Sequence, residues 1–402
     1  MCRANSPSLS LEAGRTLEAR PAGESRYAGT VSPNLENPLS AAPSLPEHGT
    51  ASSHLPLRGQ ATKVFGCLLG GALGDALGYA VEFSGTAEIR SAYGARGLHS
   101  LTGLPAPVPF SDDTQMTLYT LDGLLEALEW ANAGVGADET ACLWLAYLRW
   151  LKTQGVPLDP GAPQPPLRWI DEQTVLHQRR APGNACLSGL SGPDMGTKAR
   201  PVNPESKGCG TVMRSAPLGL LPSVEPGMVY RLSEDAAALT HGHPSALHSA
   251  AAFSVLIHDL LPPSASLQEA ADTAVVRARE SGVPELAARL AAAVELGRSG
   301  PVSPETLTAA LGEGWVAEEA LAIGLYAALA TVGASTPQEH FTAAVALAVN
   351  HDGDSDSTGS ITGNIVGTLH GTAALPGEWL AVLEGRDVIE ELARRFTAAT
   401  GT

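Results

Sequence analysis

Two short stretches of the chain concentrate oxygen ligands. Residues 110–118 read FSDDTQMTL and residues 350–364 read NHDGDSDSTGSITGN. In the second, Asp352, Asp354 and Asp356 stand at alternate positions and Ser357 and Thr358 follow. Three carboxylates so close repel one another and need a cation or solvent to relieve them. A self-contained calcium loop does not fit, because its sixth position should be glycine and is Ser357, and its twelfth should be glutamate and is Gly363. The cluster has too few ligands of its own and needs help from elsewhere. Ser111, Asp112 and Asp113 could supply that help, although a serine N-cap with aspartates in the first turn also serves simply to start a helix. Together Ser111, Asp112, Asp113, Asp354, Asp356 and Ser357 offer four carboxylates and two hydroxyls. These are hard donors, suited to Mg²⁺ or Mn²⁺ rather than to zinc or copper, and with bridging carboxylates and water they could hold two ions. Spacing makes a meeting of the two stretches plausible; only folding can bring it about.

Other chemistries find no template. The chain has no H-E-x-x-H, G-x-S-x-G, Walker or G-x-G-x-x-G signature. The string THGHPSALH carries His241, His243 and His248, but without a cysteine pattern or an acidic neighbour it makes a poor zinc site. One of these histidines is expected to contact a substrate while the others cap or pack.

The elements that must position these residues are helical. From Ala61 onward apolar residues recur at three and four, as in MTLYTLDGLLEALEW, and β-branched alternation is nearly absent. The pattern predicts an all-α domain over 61–402, with helices over 64–81, 112–131, 137–151, 244–261, 266–281, 285–298, 317–332, 338–349 and 388–399. Between Thr153 and Lys207 the chain turns rich in Pro and Gly, as functional loops or a small lid would. Residues 1–60 lack periodicity and read as a disordered tail. That tail holds five acids and five arginines, so the whole net charge of −17 belongs to residues 61–402. So acidic a surface is a poor general partner for nucleic acid and is compatible with holding cations. Five cysteines without a C-x-x-C pair, no signal-like start and no convincing membrane span point to a cytoplasmic protein.

One further pattern is unusual. In GCLLGGALGDALGYAVE, Gly66, Gly70, Gly74 and Gly78 are each four apart within a predicted helix, where each costs about 1 kcal/mol relative to alanine. Such a row makes a slowly winding groove that another helix backbone can enter. Asp75 and Glu82, seven apart, would share a side of that helix if it ran so far, and could aim carboxylates at a metal centre.

Taken together, GCLLGGALGDALGYAVEF, FSDDTQMTL, KGCGTVMRSAPLGL with THGHP, and NHDGDSDSTGSITGNIVG resemble, in order, the ADP-ribosylglycohydrolases, among them the dinitrogenase-reductase-activating glycohydrolases of bacteria. RRAPGNACLSGL is similar to a loop of bacterial members. The resemblance implies a compact orthogonal multi-helix bundle with a central binuclear site, whose ligands here would be Ser111, Asp112, Asp113, Asp354, Asp356 and Ser357. It implies a substrate-binding role for Gly208, Gly210, Thr211 and His241. Glu82 occupies the position of a glutamate that takes part in catalysis or gating in part of the family. Many members have threonine where Ser111 and Ser357 stand, and serine keeps the oxygen. The implied activity is metal-dependent hydrolysis of the glycosidic bond between ADP-ribose and a protein side chain or other acceptor, with Asp113, Asp356 or Glu82 moving the proton. Two alternatives stay open: an inactive relative that binds ADP-ribose or serves as a structural protein, and a two-metal hydrolase of another nucleotide-sugar.

Overall fold

The computed structural model describes residues 59–402, and the expected tail lies outside them apart from its last two residues. Sixteen α-helices follow in order: α1 Gln60–Tyr79, α2 Thr86–Tyr93, α3 Asp112–Asn132, α4 Glu139–Thr153, α5 Asn184–Leu190, α6 Ala216–Gly219, α7 Pro226–Ala238, α8 Pro244–Asp259, α9 Leu267–Glu280, α10 Pro284–Arg298, α11 Pro304–Leu311, α12 Ala317–Ala330, α13 Pro337–Val349, α14 Ser355–His370, α15 Gly377–Val382 and α16 Arg386–Thr400. Among the described residues the β-pairing is limited to isolated bridges. The architecture is the all-α bundle that the periodicity predicts.

Two helices make its axis. α1 is buried along nearly its whole length, and so is α14. They run antiparallel, with Gly66, Gly70, Gly74 and Gly78 opposite Gly367, Gly363, Gly359 and Ser355 respectively. A methyl group built on Gly70 would stand 2.5 Å from the Gly363 carbonyl oxygen, and one on any of the other three would come closer still to the backbone facing it. Here is the reason for glycine at every fourth position: the partner is a second helix with the same spacing of small residues, and the two backbones touch over four turns. Asn364 locks the register by donating its Nδ2 to the Cys67 carbonyl at 2.8 Å.

α14 is the longest of the helices that periodicity missed, the others being α2, α5, α6, α7, α11 and α15. Its sequence, SDSTGSITGNIVGTLH, is rich in residues of low helix propensity. Their hydroxyls are used internally instead, since Thr358, Thr362 and Thr368 each donate to the carbonyl four residues back. Packing against α1 outweighs intrinsic preference here. α12 and α13 then cover α14, while α3, α4 and α7 build outward on the other side.

The first helix ends sooner than expected. α1 stops at Tyr79, and the chain turns through Val81 N–H to the Gly78 carbonyl (2.8 Å) and Ser84 N–H to the Val81 carbonyl (2.9 Å). Glu82 therefore lies in the turn and does not share a helical face with Asp75.

Candidate metal and substrate site

Both acidic stretches become helix N-termini. Ser111 caps α3, its Oγ accepting from Asp113 N–H at 3.2 Å, so Asp112 and Asp113 form the first turn. Asp354 caps α14, accepting from Ser357 N–H at 3.3 Å, with Asp356 in the first turn. Gly353 sets up that cap. Its φ of 145° is unfavourable for a side chain, and a Cβ there would strike the Glu313 carbonyl, the same carbonyl that accepts from Asp354 N–H at 2.9 Å. Asp352, the first of the three alternating aspartates, turns outward and caps α2, accepting from Thr86 N–H at 2.6 Å.

α1 brings the two N-termini together. Asp75, fully buried, accepts from Ser111 N–H (2.9 Å), Thr114 N–H (2.9 Å) and Thr114 Oγ1 (2.5 Å), and so pins the start of α3. Gly74 and Gly78, one residue before it and three after, receive the first turns of α14. Asp75 thus spends its carboxylate on a helix terminus; the expectation that it points to a metal is corrected by these three hydrogen bonds.

The result is a cluster of carboxylates that are mutually unfavourable as anions. Ser111, Asp112, Asp113, Asp354, Asp356 and Ser357 are each at most 3% exposed. Burial, then the field of Asp112, Asp75 and Asp354, pushes the Asp113 carboxyl well above the usual range, although Ser357 donates to it. Burial and the charges of Asp113 and Asp354 push Asp356 the same way. Asp112 is also raised, by burial first, against a hydrogen bond from Gly183 N–H at 3.3 Å. Glu82, 8% exposed, is pushed up to about 8 by burial and by Asp354 and Asp75. These couplings join residues of the two stretches across more than two hundred positions of chain.

Two buried oxygens, Asp113 Oδ2 and Glu82 Oε2, have no hydrogen-bond partner. Unpaired buried acceptors beside raised carboxyls are compatible with holding a cation. Among the described residues no three His, Cys, Asp or Glu side chains close on a single point as a metal cage would. Mg²⁺ asks for less, since it commonly takes one or two carboxylates and keeps several waters. The oxygen-only character of the six expected ligands fits that ion or Mn²⁺.

Three of the expected substrate residues, Gly208, Gly210 and Thr211, lie on one turn beside the cluster. Gly208 and Gly210 flank Cys209, whose N–H donates to the Trp315 carbonyl at 3.3 Å and whose Sγ lies 2.7 Å from Asp354 Oδ2. His241 is buried behind this turn, its ring edge against Gly210 and its Nδ1 2.7 Å from Thr240 Oγ1. Burial, then Arg214, lowers His241 to about 3, so it is neutral. Thr211 uses its hydroxyl on the Ala246 carbonyl at 2.9 Å. Both side chains therefore face protein, and backbone and glycine surface line the turn. His243 caps α8, accepting from Ser245 N–H at 3.1 Å, and His248 packs against Tyr230, so these two histidines cap and pack.

Arg214 was not singled out by spacing, yet it organises this corner. Its guanidinium is 1% exposed, donates to the Gly210 carbonyl (2.9 Å) and Thr240 Oγ1 (2.8 Å), and stacks on Tyr147. The M-R pair after GCGT was the available signal. Arg180, in the Pro/Gly-rich segment, similarly holds the approach to α3 by donating to the Phe110 carbonyl at 2.9 Å. A separate cleft of about 310 Å³, lined by Ile89, Arg90, Val302, Leu307 and Leu347 among others, is mainly apolar and gathers no acid–base groups. The titratable groups gather instead at the acidic cluster.

Comparison with known proteins agrees with this architecture. The chain is 24% identical over 343 residues to ADP-ribosyl-[dinitrogen reductase] glycohydrolase of Rhodospirillum rubrum, covering 84% of this chain and 95% of that protein. It is 28% identical over 335 residues to an uncharacterized protein of Archaeoglobus fulgidus, covering 82% and 94%. A solved ADP-ribosylglycohydrolase-related protein complex shares the fold at a TM-score of 0.58 and 24% identity, covering 86% of this chain and all of the solved one. Residues 57–402 match the family model for ADP-ribosylglycohydrolase, and the chain therefore belongs to the ADP-ribosylglycohydrolase family, whose chemistry is the hydrolysis of ADP-ribose conjugates.

Proposed function

We propose that this protein is a hydrolase that uses two divalent cations, Mg²⁺ or Mn²⁺, to cleave the glycosidic bond between ADP-ribose and an acceptor such as a protein side chain. One observation carries the reading: α1 draws the N-termini of α3 and α14 together, so that Asp112, Asp113, Asp354 and Asp356 share one buried cluster in which Asp113 Oδ2 lacks a partner. Ser111, Asp112, Asp113, Asp354, Asp356 and Ser357 would hold the ions, which when bound supply Lewis-acid polarisation and a more acidic water.

The chain's own groups would do the rest. Cleavage at the anomeric carbon passes through an oxocarbenium-like state, which surrounding carboxylates stabilise. Glu82, which stands in a turn rather than a helix and feels the charge of Asp354, would give or take the proton. Asp113 and Asp356 are the other candidates for that step. The glycines of the Gly208–Gly210 turn would let the diphosphate approach the backbone closely, while Arg214 and His241 brace the turn from behind. The substrate would be an ADP-ribosylated protein or another ADP-ribosyl conjugate.

Mass spectrometry of the products from a mixed set of ADP-ribosylated acceptors, with and without chelator, tests the proposal. Free ADP-ribose released only in the presence of divalent ion supports it and identifies the linkage. Phosphate release instead would move the protein to another class of two-metal hydrolase, and saturable binding without turnover would make it a binding protein.

A further inference from the structure

Cys209 brings a soft atom into a cluster otherwise made of oxygens. Its Sγ lies 2.7 Å from Asp354 Oδ2, and the charges of Asp354 and Asp113 both act on the thiol. The position is built rather than accidental. Cys209 N–H is tied to the Trp315 carbonyl, and the next residue's carbonyl is tied to the buried guanidinium of Arg214. An independent feature marks the cluster as able to accept a ligand bond: Asp113, 2% exposed, keeps Oδ2 without any partner. A thiol beside carboxylates selects for borderline and soft divalent ions over Mg²⁺.

We propose that Cys209 is a ligand arm of this centre for thiophilic ions, so that Zn²⁺ or Cd²⁺ binds through Cys209 Sγ together with Asp354 and competes with Mg²⁺ or Mn²⁺. The inference rests on the reading of the cluster as a cation centre. On binding, the S–H bond is replaced by a sulfur–metal bond, the proton passes to water, and no oxidation state changes. The consequence is a site that hard cations fill for function and thiophilic cations block.

The test uses the full chain and Cd²⁺ alone as the probe. Titration of the parent should raise a thiolate-to-cadmium ultraviolet absorption band with release of one proton per bound ion, and Mn²⁺ should suppress it. Cys209→Ser, folded by circular dichroism, should lose the band and bind Cd²⁺ more weakly by on the order of tenfold or more, since only hard donors remain. A band that survives Cys209→Ser, or that disappears in Cys2→Ser instead, overturns the inference. Mn²⁺ binding, read in parallel by electron paramagnetic resonance, separates the two claims. Mn²⁺ binding without a Cys209-dependent band refutes only the thiol arm, while a Cys209-dependent band without Mn²⁺ binding upholds the arm and refutes the hard-cation centre. Neither signal refutes both.

Discussion

Gly70→Ala sets two effects of opposite sign against each other. In an exposed helix the substitution would stabilise by about 1 kcal/mol through propensity. Here the new methyl would meet the Gly363 carbonyl oxygen at 2.5 Å and Phe341 Cε2 at 3.3 Å. The first separation is roughly 1 Å short of an optimal contact. The obstacle is backbone inside a helix, so no rotamer change can relieve it, and α1 and α14 must part. Overpacking of this kind costs about 1–3 kcal/mol, occasionally more, and the backbone obstacle places this site at the upper end. The net expectation is a loss of about 2 kcal/mol. Denaturant unfolding followed by circular dichroism reads it as a lower midpoint at unchanged m. Gly377→Ala, at the first position of α15 with nothing within 4 Å, is the control and should be neutral or slightly stabilising. If Gly70→Ala proved as stable as the parent, the close antiparallel contact of α1 and α14 would be wrong.

Three other outcomes are expected. Asp75→Asn puts an amide where three donors converge, which should cost about 2–3 kcal/mol in thermal or denaturant melts and weaken Mn²⁺ binding by loosening the start of α3. His241 has a folded-state value of about 3 against an ordinary 6.5, so the stability it contributes is complete above pH 6.5 and is lost as pH falls from 6.5 toward 3. The acid-side decline of the unfolding midpoint should therefore be shallower in His241→Gln than in the parent. Saturating Mg²⁺ or Mn²⁺ should raise stability by about 2.7 kcal/mol per bound ion at a hundredfold excess over the dissociation constant, and chelator should abolish the gain.

Much of this architecture was legible in the sequence because heptad-like apolar spacing survives wherever a helix has one wet face. α3, α4, α10 and α13 lie within two residues of the expected bounds at each end. α14 escaped because it is buried on all sides and built from Gly, Ser and Thr, so it carries neither an amphipathic stripe nor good propensity. The glycine row of α1 called for a helix partner, and repeating the same count through Gly359, Gly363 and Gly367 would have found it. The types of the site residues could be read directly. Their convergence could not, because it depends on Asp75 capping α3 while α14 docks on the glycines one residue before it and three after, a relation between three elements that no local pattern contains. Glu82 illustrates the same limit: whether it sits on a helix or in a turn depends on where α1 is stopped by its surroundings.

The most direct test of the account is calorimetric titration of Mn²⁺ into the parent, Asp113→Asn and Asp356→Asn, one variant from each acidic segment, with circular dichroism confirming that all three are folded. The account predicts two ions bound per parent chain and a weakened or reduced stoichiometry in both variants. A parent that binds no divalent ion, or variants from both segments that bind as the parent does, would contradict it.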